Sequence, residues 1–401
     1  GDIRVAVKGA PEAIYDICSR VRADDGRECE FDEARRQQWE ARNSNLARKG
    51  LRVLAVAEKR AETAEAEPYE DLTLLGLVGL VDPPRDDVRA ALDACKDAGI
   101  HVVLVTGDQP VTARYIALSV GLTDDEQAAV VTGAEVDGLT DEDLLETELF
   151  ARVTPEQKLD LIKLHQDEGD IVAMTGDGVN DAPALRRADI GVAMGKRGTQ
   201  VAREAADIVL RDDAFSSIVA AVERGRVIFG NIRKFVLYLL SCNISEIAVI
   251  AIAATAFPNL PLPITPLQIL FLNLVTDVFP ALALGVGEGP DDVMKAKPRD
   301  PEESILRRDH WMAISGWGAV ITTSTLAAYT LSQMVYGFGD EVSVTIAFLV
   351  LALGQLFHVF NMRAPGSSLI SNQITHNKWV WGAVALCIGI IVVPFYIPVA
   401  R

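Results

Sequence analysis

The stretch Ile171-Val-Ala-Met-Thr-Gly-Asp-Gly-Val-Asn-Asp181 places a short apolar run directly before a glycine-rich acidic turn. A second run of the same kind, His101-Val-Val-Leu-Val105, ends at Thr106-Gly107-Asp108. Continuous apolar runs that alternate with helical stretches are typical of a parallel sheet covered on both faces. Ligands bind outside the carboxyl ends of such strands, so the sequence predicts one site where these two polar tips meet.

The residues at the two tips suit a phosphate group and a hard cation. Glycines let the backbone approach an anion, and the helix after each tip offers free N–H groups. Asp177 and Asp181 are four residues apart across the turn, a placement suited to one Mg²⁺. Lys158 opens another predicted helix, where it can neutralise a phosphoryl group. One Thr-Gly-Asp alone would be better explained as an ordinary turn, but two copies and a third acid favour a site.

The composition indicates a protein that is partly embedded in lipid. Of its 401 residues 49% are hydrophobic, which is too apolar for an ordinary soluble protein. Residues 1–229 carry 28 Lys and Arg against 45 Asp and Glu, a balance that argues against a nucleic-acid partner. The five cysteines form no C-x-x-C pair, which indicates free packing thiols. Because the chain begins at Gly1 with no signal-like segment, we expect an excerpt of a longer protein.

Three regions follow one another along the chain. We expect residues 1–70 to be the tail of a small α+β domain, residues 71–230 the parallel-sheet domain, and residues 231–401 a membrane domain. The membrane domain contains apolar runs long enough to span a bilayer. We place five spans, at residues 232–257, 265–286, 311–335, 343–362 and 378–399.

The basic residues of the loops set the orientation. The loop 287–310 holds five Lys and Arg, whereas the loop 258–266 holds none. The positive-inside rule therefore places the basic loops and the acidic front in the cytoplasm. We expect a multi-pass protein of the cell membrane.

Two acidic residues lie inside predicted spans, where an ionisable side chain costs several kcal/mol unless it is paired or faces water. Glu246 has Asn243 one turn before it, and Asp277 has Thr276 beside it and Asn273 one turn before it. We find no Cys or His at the same depth. Carboxylate, amide and hydroxyl oxygens predict a site for a hard cation and argue against copper or zinc.

For part of this set of residues, a purely structural role is an alternative to cation binding. Buried Asn and Thr often join neighbouring spans, which explains Asn243 and Thr276 but neither carboxylate. Pro280 follows Asp277 by three residues, and we expect it to disturb the helix and free carbonyl groups near the site.

Several motifs together resemble the P-type cation-transporting ATPases, in their calcium-pump-like branch. They are Thr106-Gly-Asp108, Lys158, Thr175-Gly-Asp-Gly-Val-Asn-Asp-Ala-Pro183, Asp82-Pro-Pro-Arg85 and Lys8-Gly-Ala-Pro-Glu12, in the family's order. The resemblance implies a haloacid-dehalogenase-like domain with a Rossmann-type parallel sheet. A remnant of the α+β nucleotide-binding domain would precede it, and an all-α transmembrane bundle would follow.

The same resemblance implies residues for ATP and Mg²⁺. Lys8 and Arg52 would contact ATP from the nucleotide-binding domain, and Asp177 would hold Mg²⁺. Thr106, Lys158 and Asp181 would support phosphoryl transfer together with Asp177. The phosphate and ribose path would be lined by Thr106, Gly107, Asp108, Arg152, Lys158 and Asn180.

In the membrane, Ser241–Glu246 and Asn273–Asp277 are similar to the two transport helices of calcium-type pumps. Pumps of the sodium/potassium type tend to carry a second acid where this chain has Asn273. Gln355 falls where reticulum-type calcium pumps place a glutamate and plasma-membrane types place a glutamine. The resemblance therefore implies that Gln355 is a ligand of the transported cation. Because a glutamine stands there in place of a glutamate, we predict one ion per cycle. We interpret His358 as a packing histidine.

One departure from the family is decisive for activity. The phosphorylated aspartate of these pumps lies in an Asp-Lys-Thr-Gly-Thr run, and this sequence contains none. We therefore expect a C-terminal fragment that is inactive alone. Its partner would be the upstream part of the same pump, with the actuator domain, the phosphorylated aspartate and the earlier spans.

The expected function of the complete protein is ATP-driven export of Ca²⁺. Mn²⁺ is the nearest alternative because it accepts similar oxygens, and a monovalent-cation pump is a further one. A membrane-tethered phosphatase with the same core would hydrolyse its substrate without ion dependence, and it leaves Glu246 and Asp277 unexplained. A noncatalytic regulator built from a truncated pump is suggested only by the missing nucleophile.

Overall fold

The computed structural model describes residues 3–23, 26–49, 51–61, 67–80, 85–290, 292–364 and 366–396. The chain divides into two compact units, Gly1–Val219 and Ala220–Arg401. Two of the predicted features, Asp82-Pro83-Pro84 and the side chain of Arg52, lie outside the described residues.

The first unit opens with a five-stranded mixed sheet in the order β1-β4-β5-β2-β3. Its strands are β1 (Ile3–Gly9), β2 (Cys18–Arg22), β3 (Glu28–Glu30), β4 (Arg52–Ala61) and β5 (Leu72–Leu80). The strand β4 runs antiparallel to both neighbours, whereas β2 runs parallel to β5. Two helices, α1 (Pro11–Asp16) and α2 (Glu33–Arg48), belong to the same region. Tyr15 of α1 is fully buried and joins them, since its hydroxyl donates to the Trp39 carbonyl of α2 at 3.2 Å.

The first sheet extends beyond the domain boundary expected at residue 70. We assigned Leu72–Val81 to the parallel-sheet domain, but β5 lies between β4 and β2 of the mixed sheet. Leu72 and Leu74 are fully buried and pack in one cluster with Ala55 and Ala57 of β4. A short apolar run indicates a buried strand without saying which sheet it joins, and this is why the boundary was misplaced.

Two three-stranded parallel sheets follow, in the orders β6-β8-β7 and β9-β10-β11. Their strands are β6 (Leu104–Val105), β7 (Val131–Thr132), β8 (Leu149–Ala151), β9 (Ala173–Gly176), β10 (Ile190–Met194) and β11 (Ile208–Leu210). The helices that precede or connect these strands are α3 (Asp87–Asp97), α4 (Pro110–Val120), α5 (Gly133–Val136), α6 (Asp141–Glu146), α7 (Pro155–Asp167), α8 (Ala182–Arg187) and α9 (Gln200–Ala205). The predicted parallel pairing is present. We expected a single sheet, however, and the described strands form two.

Long helices make up the second unit. They are α10 (Phe215–Ala256), α11 (Pro266–Phe271), α12 (Val278–Gly285), α13 (Arg308–Thr330), α14 (Asp340–His358), α15 (Gln373–His376) and α16 (Lys378–Tyr396). A π-helical segment, Leu272–Asp277, joins α11 to α12, and a second one, Leu331–Val335, continues α13. The helix α10 begins well before residue 232, where we placed the start of the first span.

Three described segments are long and apolar enough to cross a membrane: Phe215–Ala256, Pro266–Gly285 and Asp340–Met362. Lys378–Val393 is a shorter apolar helix. The predicted span 311–335 is helical throughout, although α13 is not among the three. The membrane character of this unit agrees with the prediction, and the count of five spans stays a prediction.

Candidate functional site

Lys158 and Asp181 form a short ion pair at the end of β9. The Lys158 Nζ atom lies 2.7 Å from Asp181 Oδ1, and the Gly178 N–H donates to Asp181 Oδ2 at 3.1 Å. Burial alone would raise the pKa of the Asp181 carboxyl. The hydrogen bonds from Lys158 and Gly178 outweigh burial and hold the pKa below its usual value. Asp181 is therefore a carboxylate that fixes the lysine.

The turn after β9 requires glycine at position 176. A Cβ atom on Gly176 would come within 2.6 Å of the Asp181 Cβ atom, so a larger residue would displace Asp181. The chain then makes one 3-10 turn, Val179–Asp181, and enters α8, where Pro183 lies in the first turn and interrupts no hydrogen bond. This local geometry brings Asp181 back against the strand end.

Asp177 is the open carboxylate of this tip. Its side chain is exposed, and its carboxylate makes no hydrogen bond to any residue that the structure describes. Its backbone carbonyl accepts the Thr199 N–H at 2.9 Å, which fixes the turn. An exposed carboxylate on a rigid turn suits Mg²⁺. We predicted that Asp177 and Asp181 share one cation, but Asp181 is occupied by Lys158.

The second tip is assembled from two strand ends. The Thr106 hydroxyl accepts the Asp108 N–H at 3.1 Å and donates to Asp108 Oδ2 at 3.3 Å. The Arg152 N–H, just after β8, donates to the Asp108 carbonyl at 3.2 Å. Arg152 has φ +52°, an uncommon conformation for a residue with a side chain, and its side chain is exposed. Thr106, Asp108 and Arg152 are thus brought together, with Gly107 in the turn between the first two.

The hydrogen bonds of one tip do not extend to the other. No hydrogen bond joins residues 106–108 to residues 177–181 within the part of the chain that the structure describes. Lys8 is exposed on β1, opposite Val56 of β4, and Asn180 is exposed in the turn. We predicted that all these residues line one nucleotide path, and this stays a prediction.

Glu246 of α10 is the centre of a buried polar set in the second unit. Gln355 of α14 donates its Nε2–H to Glu246 Oε1 at 3.0 Å, and Asn273 of the π segment donates its Nδ2–H to Glu246 Oε2 at 3.3 Å. Glu246 is 4% exposed and Gln355 is fully buried. Three predicted ligands from three segments therefore meet at one place.

Asp277 ends the π segment and is 2% exposed. Neither carboxylate oxygen has an ordinary hydrogen-bond donor, and the Oε1 atom of Gln355 is likewise without one, among the described residues. A buried carboxylate without a partner is unfavourable unless it takes up a proton or a cation compensates its charge. The arrangement therefore fits either a proton or a metal cation at Asp277.

The helix around Asp277 is disturbed, as Pro280 predicts. Pro280 has no N–H to offer to the Thr276 carbonyl four residues before it. The Tyr238 hydroxyl donates to that carbonyl instead, at 3.1 Å. The hydroxyl of Thr276 is used locally, since it donates to the Leu272 carbonyl at 2.8 Å. A π-helical turn at a functional position is a common arrangement in proteins.

Asn243 does not join the set through its amide N–H. Its Nδ2–H donates to the Leu239 carbonyl of its own helix at 2.9 Å, which leaves its Oδ1 atom for other contacts. No three His, Cys, Asp or Glu side chains of the described chain converge as a ready-made metal centre. Glu246 and Asp277 would need amide and carbonyl oxygens to complete a cation shell.

A cysteine does lie at the depth where the sequence predicted none. Cys242 is fully buried on α10, one helical turn before Glu246. The signal was available, because Cys242 precedes Glu246 by four residues and so lies on the same helix face. Tyr238 was also missed, since nothing in the sequence shows which carbonyl Pro280 leaves open to it.

His358 packs between aromatic rings, in line with its interpretation as a packing residue. The centroid of its ring lies 6.0 Å from that of Tyr238 and 5.4 Å from that of Trp317. Its Nδ1 atom contacts the Asn361 amide at 3.2 Å.

Comparisons with known proteins match most of the chain. The family model described as P-type ATPase, cytoplasmic domain N, matches residues 1–87, and the model described as cation transporting ATPase, C-terminus, matches residues 261–401. The first match includes β5, in agreement with its place in the mixed sheet.

Among its curated relatives is a calcium-transporting ATPase of Bacillus subtilis (strain 168), 43% identical over 98% of this chain and 45% of the relative. A calcium-transporting ATPase of endoplasmic-reticulum type from Arabidopsis thaliana is 37% identical over 97% of this chain and 43% of the relative. A sodium-transporting P-type ATPase of Toxoplasma gondii (strain ATCC 50861 / VEG) is 43% identical over 74% of this chain and 25% of the relative. The chain spans less than half the length of these relatives.

Proposed function

The chain belongs to the P-type cation-transporting ATPase family, and on that premise we propose that it is the C-terminal part of a pump that moves Ca²⁺ across a membrane by using ATP. The observation that carries the proposal is the buried set around Glu246, with the unpaired carboxylate of Asp277 on the neighbouring π segment. The names of the relatives from Bacillus subtilis and Arabidopsis thaliana support Ca²⁺ as the ion.

The cation site would use oxygens from three helical segments. Ca²⁺ takes six to eight oxygen ligands, which carboxylates, amides and carbonyls supply. Glu246 and Asp277 would provide the charge, and Asn243, Asn273, Thr276 and Gln355 would complete the shell. Since Gln355 is neutral, the site holds two carboxylates, which supports one divalent ion per cycle.

The phosphoryl-transfer site would be built from the two strand tips of the first unit. Asp177 would hold Mg²⁺, which when bound neutralises charge on the transferring phosphoryl group. Lys158, held by Asp181, would place a second positive charge there. Thr106, Gly107, Asp108, Arg152 and Asn180 would line the nucleotide path, with Lys8 and Arg52 contacting ATP from the mixed sheet.

We also propose that the two parallel sheets are halves of one haloacid-dehalogenase-like sheet. β6 is an edge strand of its sheet and β9 an edge strand of the other, and each leads directly into one of the acidic tips. A further strand between these two edges would bring the tips to one site. The upstream part of the protein would supply this strand together with the phosphorylated aspartate.

In the cell, the soluble unit would face the cytoplasm and the helical unit would lie in the plasma membrane. The basic loop 287–310 supports this orientation.

The test uses the complete protein in sealed inside-out vesicles, with uptake of radioactive Ca²⁺ measured with and without ATP. Uptake that requires ATP supports the proposal. Uptake of Mn²⁺ or Na⁺ without uptake of Ca²⁺ would reassign the ion, and hydrolysis with no dependence on any cation would favour a tethered phosphatase.

A further inference from the structure

The loop after β10 lies beside the turn that carries Asp177. β9 and β10 are parallel neighbours, with Gly176 opposite Ala193, so the carboxyl ends of both strands lie at one edge of the sheet. Residues 195–199 lead from β10 to α9 at this edge. Thr199, the last residue of the loop, donates its N–H to the Asp177 carbonyl at 2.9 Å. The loop 195–199 is therefore a direct support of the residue proposed to hold Mg²⁺.

The carboxylate of Asp213 holds the other end of this loop. The N–H groups of Gly195, Lys196 and Arg197 donate to it at 2.7, 2.9 and 2.9 Å. Successive backbone N–H groups that converge on one point form a binding site for an anion, and here the anion is a side chain of the same protein. The hydrogen bond from the Lys196 N–H contributes most to holding the pKa of the Asp213 carboxyl below its usual value. Asp213 is therefore a carboxylate at neutral pH.

The backbone of Asp213 is itself held in an uncommon conformation. Its φ is +55°, in the left-handed region that residues with side chains seldom adopt. The Arg85 Nη1 atom donates to the Asp213 carbonyl at 2.8 Å and to the Asp212 carbonyl at 3.1 Å, which fixes this conformation. The loop is packed tightly against β11, because a Cβ atom on Gly195 would come within 2.4 Å of the Leu210 carbonyl oxygen. Residues in such conformations persist where the surrounding structure requires them, and they cluster at functional sites.

We propose that Asp213 is a positioning residue of the phosphoryl-transfer site. Its carboxylate fixes the loop 195–199, and the Thr199 N–H at the end of the loop fixes the backbone of Asp177. The Asp177 carboxylate is thereby held in place for Mg²⁺. Residues that orient a metal ligand affect metal affinity strongly, although they do not touch the metal. The inference rests on the proposed function, since it concerns the placement of the proposed Mg²⁺ ligand.

The first test is the variant Asp213→Asn, because asparagine adopts the left-handed conformation as readily as aspartate does. The backbone is therefore not strained further, but the amide offers one acceptor oxygen instead of two and carries no charge. Hydrogen exchange of the complete protein, measured without metal or nucleotide, should become at least about tenfold faster at the amides of residues 195–199. An unchanged exchange rate in this loop would overturn the inference.

The second measurement is the Mg²⁺ concentration needed for half-maximal phosphorylation of the complete protein from ATP. This concentration should rise about tenfold in Asp213→Asn, whereas binding of radioactive Ca²⁺ without ATP should stay unchanged. Faster exchange in the loop with no change in the Mg²⁺ requirement would show that Asp213 stabilises the loop without positioning Asp177. That outcome would also overturn the inference.

Asp189→Asn is the matched control. The Asp189 carboxylate also accepts a backbone N–H, that of Val172 at 2.9 Å, but Val172 lies at the opposite end of β9 from Asp177. Exchange in the loop 195–199 and the Mg²⁺ requirement should both stay at the values of the parent protein. An equal rise of the Mg²⁺ requirement in Asp189→Asn would assign the effect of Asp213→Asn to general destabilisation and contradict the inference.

Thr199→Pro tests the other end of the loop, and it decides the matter if Asp213→Asn binds no Ca²⁺ because it does not fold. Thr199 has φ −65°, the value that proline requires, so the change removes the N–H that binds the Asp177 carbonyl with little strain. The Mg²⁺ requirement should again rise about tenfold. Thr199→Val loses the hydroxyl that caps α9 but keeps the N–H, and it should raise the Mg²⁺ requirement less. An equal rise in both variants would argue against the N–H as the link.

The exchange measurement separates this inference from the proposed function. If the parent protein shows no phosphorylation that depends on Mg²⁺, the proposed function fails. Hydrogen exchange in Asp213→Asn still decides in that case whether Asp213 holds the loop and the Thr199 N–H.

Discussion

Two aspartates in one short turn have different environments. Asp181 is pulled back against Gly176 and bound by Lys158, whereas Asp177 is exposed with its carboxylate open. Of the two, only Asp177 has a carboxylate without a hydrogen bond among the described residues, which favours it as the metal ligand of the proposed site. The motif contains both residues, and the close contact at Gly176 gives them different environments.

Replacing Asp177 by Asn in the complete protein should remove most of the Mg²⁺-dependent phosphorylation from ATP. The change deletes one metal-ligand charge and so weakens stabilisation of charge on the transferring group. Binding of radioactive Ca²⁺ without ATP should persist. Asp160→Asn removes the same charge from an exposed position of α7 and should leave both measurements unchanged. Loss of Ca²⁺ binding in Asp177→Asn would instead assign the residue a structural role.

The corresponding change in the membrane is Asp277→Asn, which keeps the shape of the side chain and deletes its charge. Binding of a divalent cation depends strongly on ligand charge, so phosphorylation from ATP activated by Ca²⁺ should be lost. Phosphorylation from inorganic phosphate, measured without Ca²⁺, should remain. Asp340→Asn at the exposed start of α14 is the control and should preserve both. Activation by Ca²⁺ at unchanged affinity would remove Asp277 from the site.

At the scale of the element, the π segment and α12 depend on a side chain from another helix. Pro280 leaves the Thr276 carbonyl without its helical donor, and the Tyr238 hydroxyl fills that position. The backbone next to Asp277 is thus held by α10, which also carries Glu246. Both carboxylates are positioned from the same helix.

Tyr238→Phe should weaken the apparent affinity for Ca²⁺ about fivefold, because one buried hydrogen bond contributes about 1 kcal/mol. Adding Pro280→Ala restores an N–H four residues after Thr276 and should recover part of the loss. The measurement is Ca²⁺-dependent phosphorylation of both variants and of Pro280→Ala alone. Additive losses, with no recovery in the double variant, would show that the hydroxyl does not replace the missing donor.

The sequence predicted this element only in part. The apolar run, Asp277 and the disturbance at Pro280 were readable, because each depends on local chemistry. The partner of the free carbonyl was not readable, since it comes from Tyr238 on another helix. Cys242 could have been found from its spacing to Glu246 alone. The sequence also did not show which sheet β5 joins, because the pairing partners of a strand are set by the tertiary fold.

At the scale of the whole molecule, the residues predicted for phosphoryl transfer belong to the first unit and those predicted for the cation belong to the second. The acidic tips follow edge strands of two different sheets. The sequence predicted parallel strands correctly because continuous apolar runs report burial on both faces. The sequence could not predict that these strands form two separate sheets. An apolar run does not show whether the strand beside it in the sheet comes from this chain or from another segment of the protein.

The chain alone should form no acid-stable phosphoenzyme from ATP. Co-expression with the upstream part of the same protein should restore it, because the missing strand and its aspartate are then supplied. The measurement is incorporation of labelled phosphate in isolated membranes. An upstream part with that aspartate changed to Asn is the control and should restore nothing. Phosphorylation of the chain by itself would disprove this account of the first unit.

The π segment Leu272–Asp277 also makes the proposed cation site sensitive to insertions and deletions. A π turn holds one residue more than an α turn, so loss of a single codon here would convert the segment to ordinary α-helix. Each residue of an α-helix corresponds to a rotation of about 100°. The deletion would therefore turn Asn273 and the face that contacts Glu246 away from Asp277, although almost every side chain would be retained. The length of this segment therefore matters to the geometry of Asn273, Glu246 and Asp277 as much as the identity of its residues.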